Sequence, residues 1–148
     1  MALTTFKTDV AWQRQGVAAR AAVRNHTLTI DEPPMLGGAD QGPTPVEYLL
    51  AALGGCLSVV ITALAPAHNV TLEDLTVHVE GDMDLDGFRE LQPVRPGFQA
   101  IRVTVEVSSS APAEAIAALV EHAERVCPVK DTLSGVPVVC TLAAPSAK

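Results

Sequence analysis

Thr44-Pro45-Val46-Glu47-Tyr48-Leu49-Leu50-Ala51-Ala52-Leu53-Gly54-Gly55-Cys56-Leu57-Ser58-Val59-Val60-Ile61-Thr62-Ala63-Leu64 is the segment that decides the fold. It carries its own start signal: Thr44 is a candidate N-cap, Pro45 suits the first helical position, and Glu47 stands three residues after the cap, as in a capping box. The pattern predicts a helix from Pro45 to about Leu64 that ends before Pro66. Its side chains are apolar nearly all round, so the helix belongs at the centre of its fold rather than on a surface. Gly54-Gly55 lies in the helix interior, where each glycine costs roughly 1 kcal/mol relative to alanine. A packed partner helix or a ligand must therefore approach the backbone there. From Tyr48 to Ala67 the chain runs twenty residues without a charge, the bare length of a membrane span. The glycines, Ser58, Thr62, Pro66, the many alanines and the absence of flanking basic residues favour a buried helix and no membrane.

Upstream, Val10 and Trp12, then Val17, Ala19, Ala21 and Val23, read as short strands around a turn at Gly16, and Leu28 and Ile30 continue the period of two. Pro33 to Pro43 is dense in turn formers and reads as irregular. Downstream, Leu75, Val77 and Val79 alternate with Thr76, His78 and Glu80, and Ile101, Val103, Val105 and Val107 alternate with Arg102, Thr104 and Glu106. Both are half-buried strands with one wet face. A Gly-, Pro- and Asp-rich connection from Gly81 to Gly97 separates them. Pro112 opens a second helix that ends at Cys127-Pro128, a short helical turn follows to Leu133, and Val136 to Leu142 forms the last strand. The order reads as a single α+β domain over residues 1–148.

The 148 residues carry 10 Lys and Arg against 17 Asp and Glu, a formal net charge of −7. That balance excludes a phosphate backbone as partner, which relies on Lys and Arg, so no nucleic acid is expected. Hydrophobic residues make up 48% and charged residues 18%, so the chain folds. Cys56, Cys127 and Cys140 are too few and too scattered for a disulfide-stapled secreted scaffold, and the first ten residues lack signal-peptide features. A cytoplasmic location is expected.

Asp82-x-Asp84-x-Asp86-Gly87 imitates the start of a calcium loop, but the position for its bidentate Glu is Pro93. The four His and three Cys show no paired ligand spacing, and neither a phosphate-cradling loop nor a hydrolase serine elbow is present. No bound cofactor or metal is expected. The cysteines are what remains. Cys56 lies in the apolar helix beside the glycine pair. Cys127 precedes Pro128 and is a candidate N-cap of the next helix, where amides and the helix dipole lower a thiol pKa. Free cysteine also often merely fills a core, and Cys140, in a Val-Pro-Val-Val-Cys strand, fits that reading best.

Leu36 to Cys56, with its Gly-Gly, Gly-Pro-Thr-Pro and Gly-Gly-Cys elements, resembles the signature of the OsmC/Ohr family. Ala123-Glu124-Arg125-Val126-Cys127-Pro128-Val129 and the order of elements resemble it too, over nearly the whole chain. The resemblance implies an OsmC-like fold: an intertwined homodimer whose central apolar helices are sandwiched by sheets from both chains. It also implies thiol-dependent reduction of hydroperoxides, organic ones above all, in stress defence. Cys56 would be the peroxidatic nucleophile and Cys127 the resolving cysteine, joined in a disulfide that an external dithiol of lipoyl or thioredoxin type reduces.

The family pairs an activating Arg with a Glu, and here the sequence departs from it. The Glu of the peroxidase branches directly follows the helix-opening Pro, where this chain has Val46. Glu47 is nine residues before Cys56, on the opposite helix face and ~13 Å away along the axis. It serves either across a dimer interface or only in the capping box. Arg20 and Arg24 both fall in the N-terminal strands, and Arg24 is the better candidate for the activating cation. The displaced Glu leaves an alternative function open: a small-molecule-binding OsmC-like protein without turnover.

Overall fold

The alternating N-terminal third forms a three-stranded antiparallel sheet of β1 (Asp9–Trp12), β2 (Ala19–Val23) and β3 (His26–Ile30). The structure is a computed structural model that describes residues 3–143. The β1–β2 turn is held by Trp12, whose Nε1 donates to the Gly16 carbonyl at 3.0 Å. The β2–β3 hairpin closes over Arg24 and Asn25, and Arg24 sits in the left-handed region at φ 53°. Arg24 is therefore a turn residue, not the strand residue that alternation suggested. Two residues suffice to reverse the chain, and the first of them takes the positive φ.

The turn-former segment contains one 3-10 turn, Pro34–Leu36, and is otherwise an irregular loop pinned by Asp31. This residue is 1% exposed, and its Oδ2 accepts from the backbone N–H of Ala39 at 3.0 Å and Gln41 at 3.1 Å. Backbone amides of Glu32, Gln41 and Ala39 hold its carboxyl below the usual range, against the opposing effect of burial. A Cβ on Gly38 would overlap the Glu32 carbonyl, so only glycine fits the loop's return past that strand end. Tyr48 Oη closes the unit by donating to the Thr29 carbonyl at 2.7 Å.

The chain divides into two units, Met1–Leu49 and Leu50–Lys148, and the division falls within helix α1 (Pro45–Leu64). In the second unit α1 runs on into a 3-10 turn, Ala65–His68. There follow β4 (Asp74–Met83), α2 (Leu85–Phe88), β5 (Phe98–Ser108), α3 (Ala113–Val126), α4 (Pro128–Thr132) and β6 (Val138–Leu142). β4 pairs antiparallel with β5, and β6 adds to β5 in parallel. Leu53, Leu57 and Ile61 of α1, Ile101, Val103 and Val105 of β5, and Leu119 and Ala123 of α3 are essentially fully buried. Each of the larger side chains contributes about 1.5–3 kcal/mol of burial free energy. His68 Nε2 and His122 Nδ1, 3.0 Å apart, tie the end of the α1 segment to α3.

The two glycines of α1 differ. A Cβ on Gly54 would stand 3.1 Å from Val79 Cγ2, so this glycine lets the helix lie close on β4. A Cβ on Gly55 would meet nothing within 4 Å, and Ala51, Ala52 and Val59 on the helix are likewise exposed, Val59 to 67%. The sequence pattern gave no means of separating the two.

β4 runs through Met83, past the Gly81 at which an open connection was expected, and α2 occupies part of that connection. The acidic run is distributed between these elements. Asp82 pairs with the Arg102 guanidinium across the sheet, with 2.9 Å between Nη2 and Oδ1, and Arg102 also meets Glu80 at 2.6 Å. Asp84 caps α2 by accepting from the Asp86 N–H at 2.9 Å.

Candidate functional site: a dithiol between two helices

Cys56 is carried by the middle of α1 and is half-buried. Cys127 arises from a different local event. Pro128 has no N–H to continue α3 but fits the first position of a new helix, so α3 ends and α4 begins at Cys127. The residue takes an extended conformation, φ −70° and ψ 111°, and its Sγ accepts from the Lys130 backbone N–H at 3.5 Å. Its side chain is fully buried. These separate elements bring Cys127 Sγ to 3.1 Å from Cys56 Sγ, with the Cys127 thiol donating. Both are free thiols, and about 1 Å of approach separates them from a disulfide bond.

The expectation of a lowered Cys127 pKa is not met. Burial pushes this thiol up, and its hydrogen bond to Cys56 raises it further. The amides of Lys130 and Val129 pull in the expected direction, but a five-residue helix supplies too little positive potential to outweigh desolvation. Cys127 therefore holds its proton and donates it to Cys56.

Sequence reading missed an ion pair beside the thiols. Lys130 Nζ of α4 and Glu124 Oε2 of α3 are 2.7 Å apart, and their side chains are only 25% and 24% exposed. The signal was present as Glu-x-x-Cys-x-x-Lys centred on Cys127, but the expected break there did not say that the two flanking side chains would meet across it. Burial lowers the Lys130 pKa, yet Glu124 and the nearby Cys140 and Cys127 more than offset this and hold the ammonium above its ordinary value. Cys140, opposite Val103 in the β5–β6 pair, is pushed up to about 12, first by burial and then by the Glu124 charge. It stays a neutral thiol, in keeping with a packing role.

Glu47 and Arg24 both lie in the first unit. Glu47 Oε2 accepts from the Thr44 N–H at 2.7 Å, and Thr44 Oγ1 accepts from the Glu47 N–H at 3.3 Å, a complete capping box on an exposed helix start. Arg24 occupies its hairpin turn, and Arg20 lies in β2 opposite Ala11 and Thr29. Among the described residues no ion pair joins either arginine to Glu47. Nor does any group of three or more His, Cys, Asp and Glu among them stand ready to share a metal ion.

An α+β fold that sets a half-buried thiol of a long apolar helix against a buried thiol at a helix–helix junction defines a class of paired-thiol proteins. This chain belongs to the OsmC-like protein family, whose profile matches residues 37–141. It is similar in fold to an OsmC-like protein from Mycoplasma pneumoniae, with a TM-score of 0.79 at 21% identity over 95% of this chain and 99% of that one. An organic hydroperoxide resistance protein OsmC from Legionella pneumophila matches with a TM-score of 0.73 at 22% identity over 97% and 100%. An organic hydroperoxide resistance protein from Elizabethkingia anophelis gives 0.73 at 19% over 96% and 97%. No curated protein matches the sequence. At these identities the likeness establishes the fold, and chemistry has to be argued from this chain's own residues.

Proposed function

We propose that the protein is a thiol-dependent peroxidase that reduces organic hydroperoxides, and hydrogen peroxide as a second substrate, in defence against oxidative or osmotic stress. The 3.1 Å approach of Cys56 and Cys127, one sulfur half-buried and the other fully buried, carries this reading. Cys56 thiolate attacks the terminal peroxide oxygen, the O–O bond breaks, and the alkoxide leaves as the alcohol after taking a proton. The Cys56 sulfenic acid then condenses with Cys127, forming the S–S bond and releasing water. An external dithiol, of lipoyl or thioredoxin type, returns both cysteines to thiols. The apolar surroundings of α1 favour a substrate with an organic tail. Two proteins of similar fold are described as organic hydroperoxide resistance proteins, which supports the same chemistry here.

The bare face around Gly55 is an apolar helix surface, and a second copy of the chain is the occupant we assign to it, making a cytoplasmic homodimer that binds neither nucleic acid nor membrane. The helical segment Pro45–His68 is long and apolar enough to cross a membrane by composition, but burial against the partner copy accounts for that character equally well. Glu47 in its capping box favours a second reading, in which the fold binds a small apolar molecule without turnover.

Intact mass after a stoichiometric dose of an organic hydroperoxide separates the two. The peroxidase loses two mass units, reversibly with dithiol, and peptide mapping places the link between Cys56 and Cys127. An unchanged mass, or full turnover by Cys56→Ser, refutes the peroxidase.

A further inference from the structure

The two sulfurs of the site are not equivalent, and the difference bears on how the oxidised protein would be reduced. Cys127 is fully buried, whereas Cys56 is reached by solvent. An incoming thiol can therefore collide with only one end of a Cys56–Cys127 bond. Attack at that end expels the other sulfur as a thiolate inside the protein, and a buried anion is expensive unless a positive group meets it. Lys130 is placed to do so. Its own amide N–H meets Cys127 Sγ at 3.5 Å, and its ammonium is drawn back by Glu124 at 2.7 Å into the α3–α4 junction that Cys127 itself forms. Neither Lys130 nor Glu124 is needed to cap α4, which Cys127 and Pro128 already start. A mostly buried ion pair is weak support for stability in itself, so a role in the chemistry is the better account of it.

We infer that Lys130, braced by Glu124, is a positioning residue for Cys127 in the reductive half of the cycle. It fixes the turn whose amide holds the sulfur and keeps a positive charge at the same α3–α4 junction, so the external dithiol attacks Cys56 and Cys127 departs. The inference rests on the Cys56–Cys127 disulfide of the proposed function. One thiolate of the reductant forms a bond to Cys56 Sγ while the Cys56–Cys127 bond breaks, and its electron pair goes to Cys127. The reductant's second thiol, having lost its proton, attacks its own sulfur in the mixed disulfide, closes the reductant's disulfide and expels Cys56 as thiolate. The two protons given up by the dithiol are regained through solvent by the two cysteines. A leaving thiol departs faster the better its negative charge is stabilised, which is what the lysine supplies.

To keep this test separate from peroxide chemistry, the disulfide is formed with diamide, a general thiol oxidant. Its reduction is followed with 2-mercaptoethanol by acid quench, alkylation and peptide mapping, from pH 6 to pH 9. The mixed disulfide is expected on Cys56. Lys130→Met should slow the reduction roughly three- to tenfold across that range, and Lys130→Arg should restore it. Lys130→Gln repeats the neutral case if the methionine variant does not fold. An adduct on Cys127, or a neutral variant reduced at the wild-type rate, overturns the inference. Failure of diamide to form the disulfide overturns it as well. Disulfide formation with diamide but not with peroxide, followed by reduction as expected, leaves this inference standing and removes the peroxidase reading.

Discussion

Replacing Gly55 by alanine tests what covers the central helix, because the two possible answers have opposite signs. Within one chain the added methyl meets nothing within 4 Å, and the helix gains roughly 0.5–1 kcal/mol because alanine is the better helix former. If a second copy packs on that face, the methyl enters a finished interface, where overpacking costs about 1–3 kcal/mol per site. A two-fold interface contains the site twice, so the loss is about 2–6 kcal/mol per dimer against a gain of about 1–2. The gain is shared by folded monomer and dimer and cancels from the dissociation equilibrium, so the loss alone acts there and the dimer is at least about tenfold weaker. The assay is a dilution series by analytical ultracentrifugation, paired with thermal unfolding at fixed concentration. A variant that melts higher and associates as the wild type does would refute a second copy on this face. Gly54→Ala is the control. Its Cβ would press on Val79 Cγ2 at 3.1 Å within the same chain, and the stiff β-branched valine has little room to yield. It should lose about 1 kcal/mol at every concentration.

Arg24→Gly relieves a left-handed residue with a side chain and should raise the unfolding free energy by ~1 kcal/mol in urea titrations; unchanged peroxide turnover in the same variant would remove Arg24 as the activating cation. Cys127→Ser should leave a long-lived sulfenic acid on Cys56 after peroxide, trapped by dimedone, and its absence would count against the assigned roles. The Asp31 carboxyl lies below its unfolded value of 3.8, so its contribution is present above that pH and lost as pH falls through the lower folded value; Asp31→Asn should flatten the acid limb of the stability curve below about pH 4. The Cys140 thiol at about 12 lies above its unfolded value of 9.0, so its contribution is complete below pH 9 and lost as pH rises towards 12; Cys140→Ala should flatten that alkaline limb.

The long helix was legible residue by residue, because Thr44, Pro45, Glu47 and Pro66 are local signals that act through the backbone next to them. The same holds for the strand alternations and for the break at Cys127-Pro128. What the sequence concealed are distances between elements and the balance of opposed effects. Gly54 and Gly55 are identical in sequence and differ only in what lies over them. Cys127 was correctly placed at a helix start, yet its thiol moves up rather than down, since burial is a tertiary property and outweighs two local amides. Arg24 lost its strand position to a two-residue turn with Asn25, in which the asparagine is the turn former but the positive φ falls on the arginine.

The facing sulfurs are 71 residues apart along the chain. A bond between them would tie off nearly half of the protein as one loop and remove about 4 kcal/mol of chain entropy from the unfolded state. The oxidised form would then unfold and be digested more slowly than the reduced one. Under peroxide the molecule would persist longest while it is chemically spent, so its abundance as well as its activity would follow the supply of dithiol.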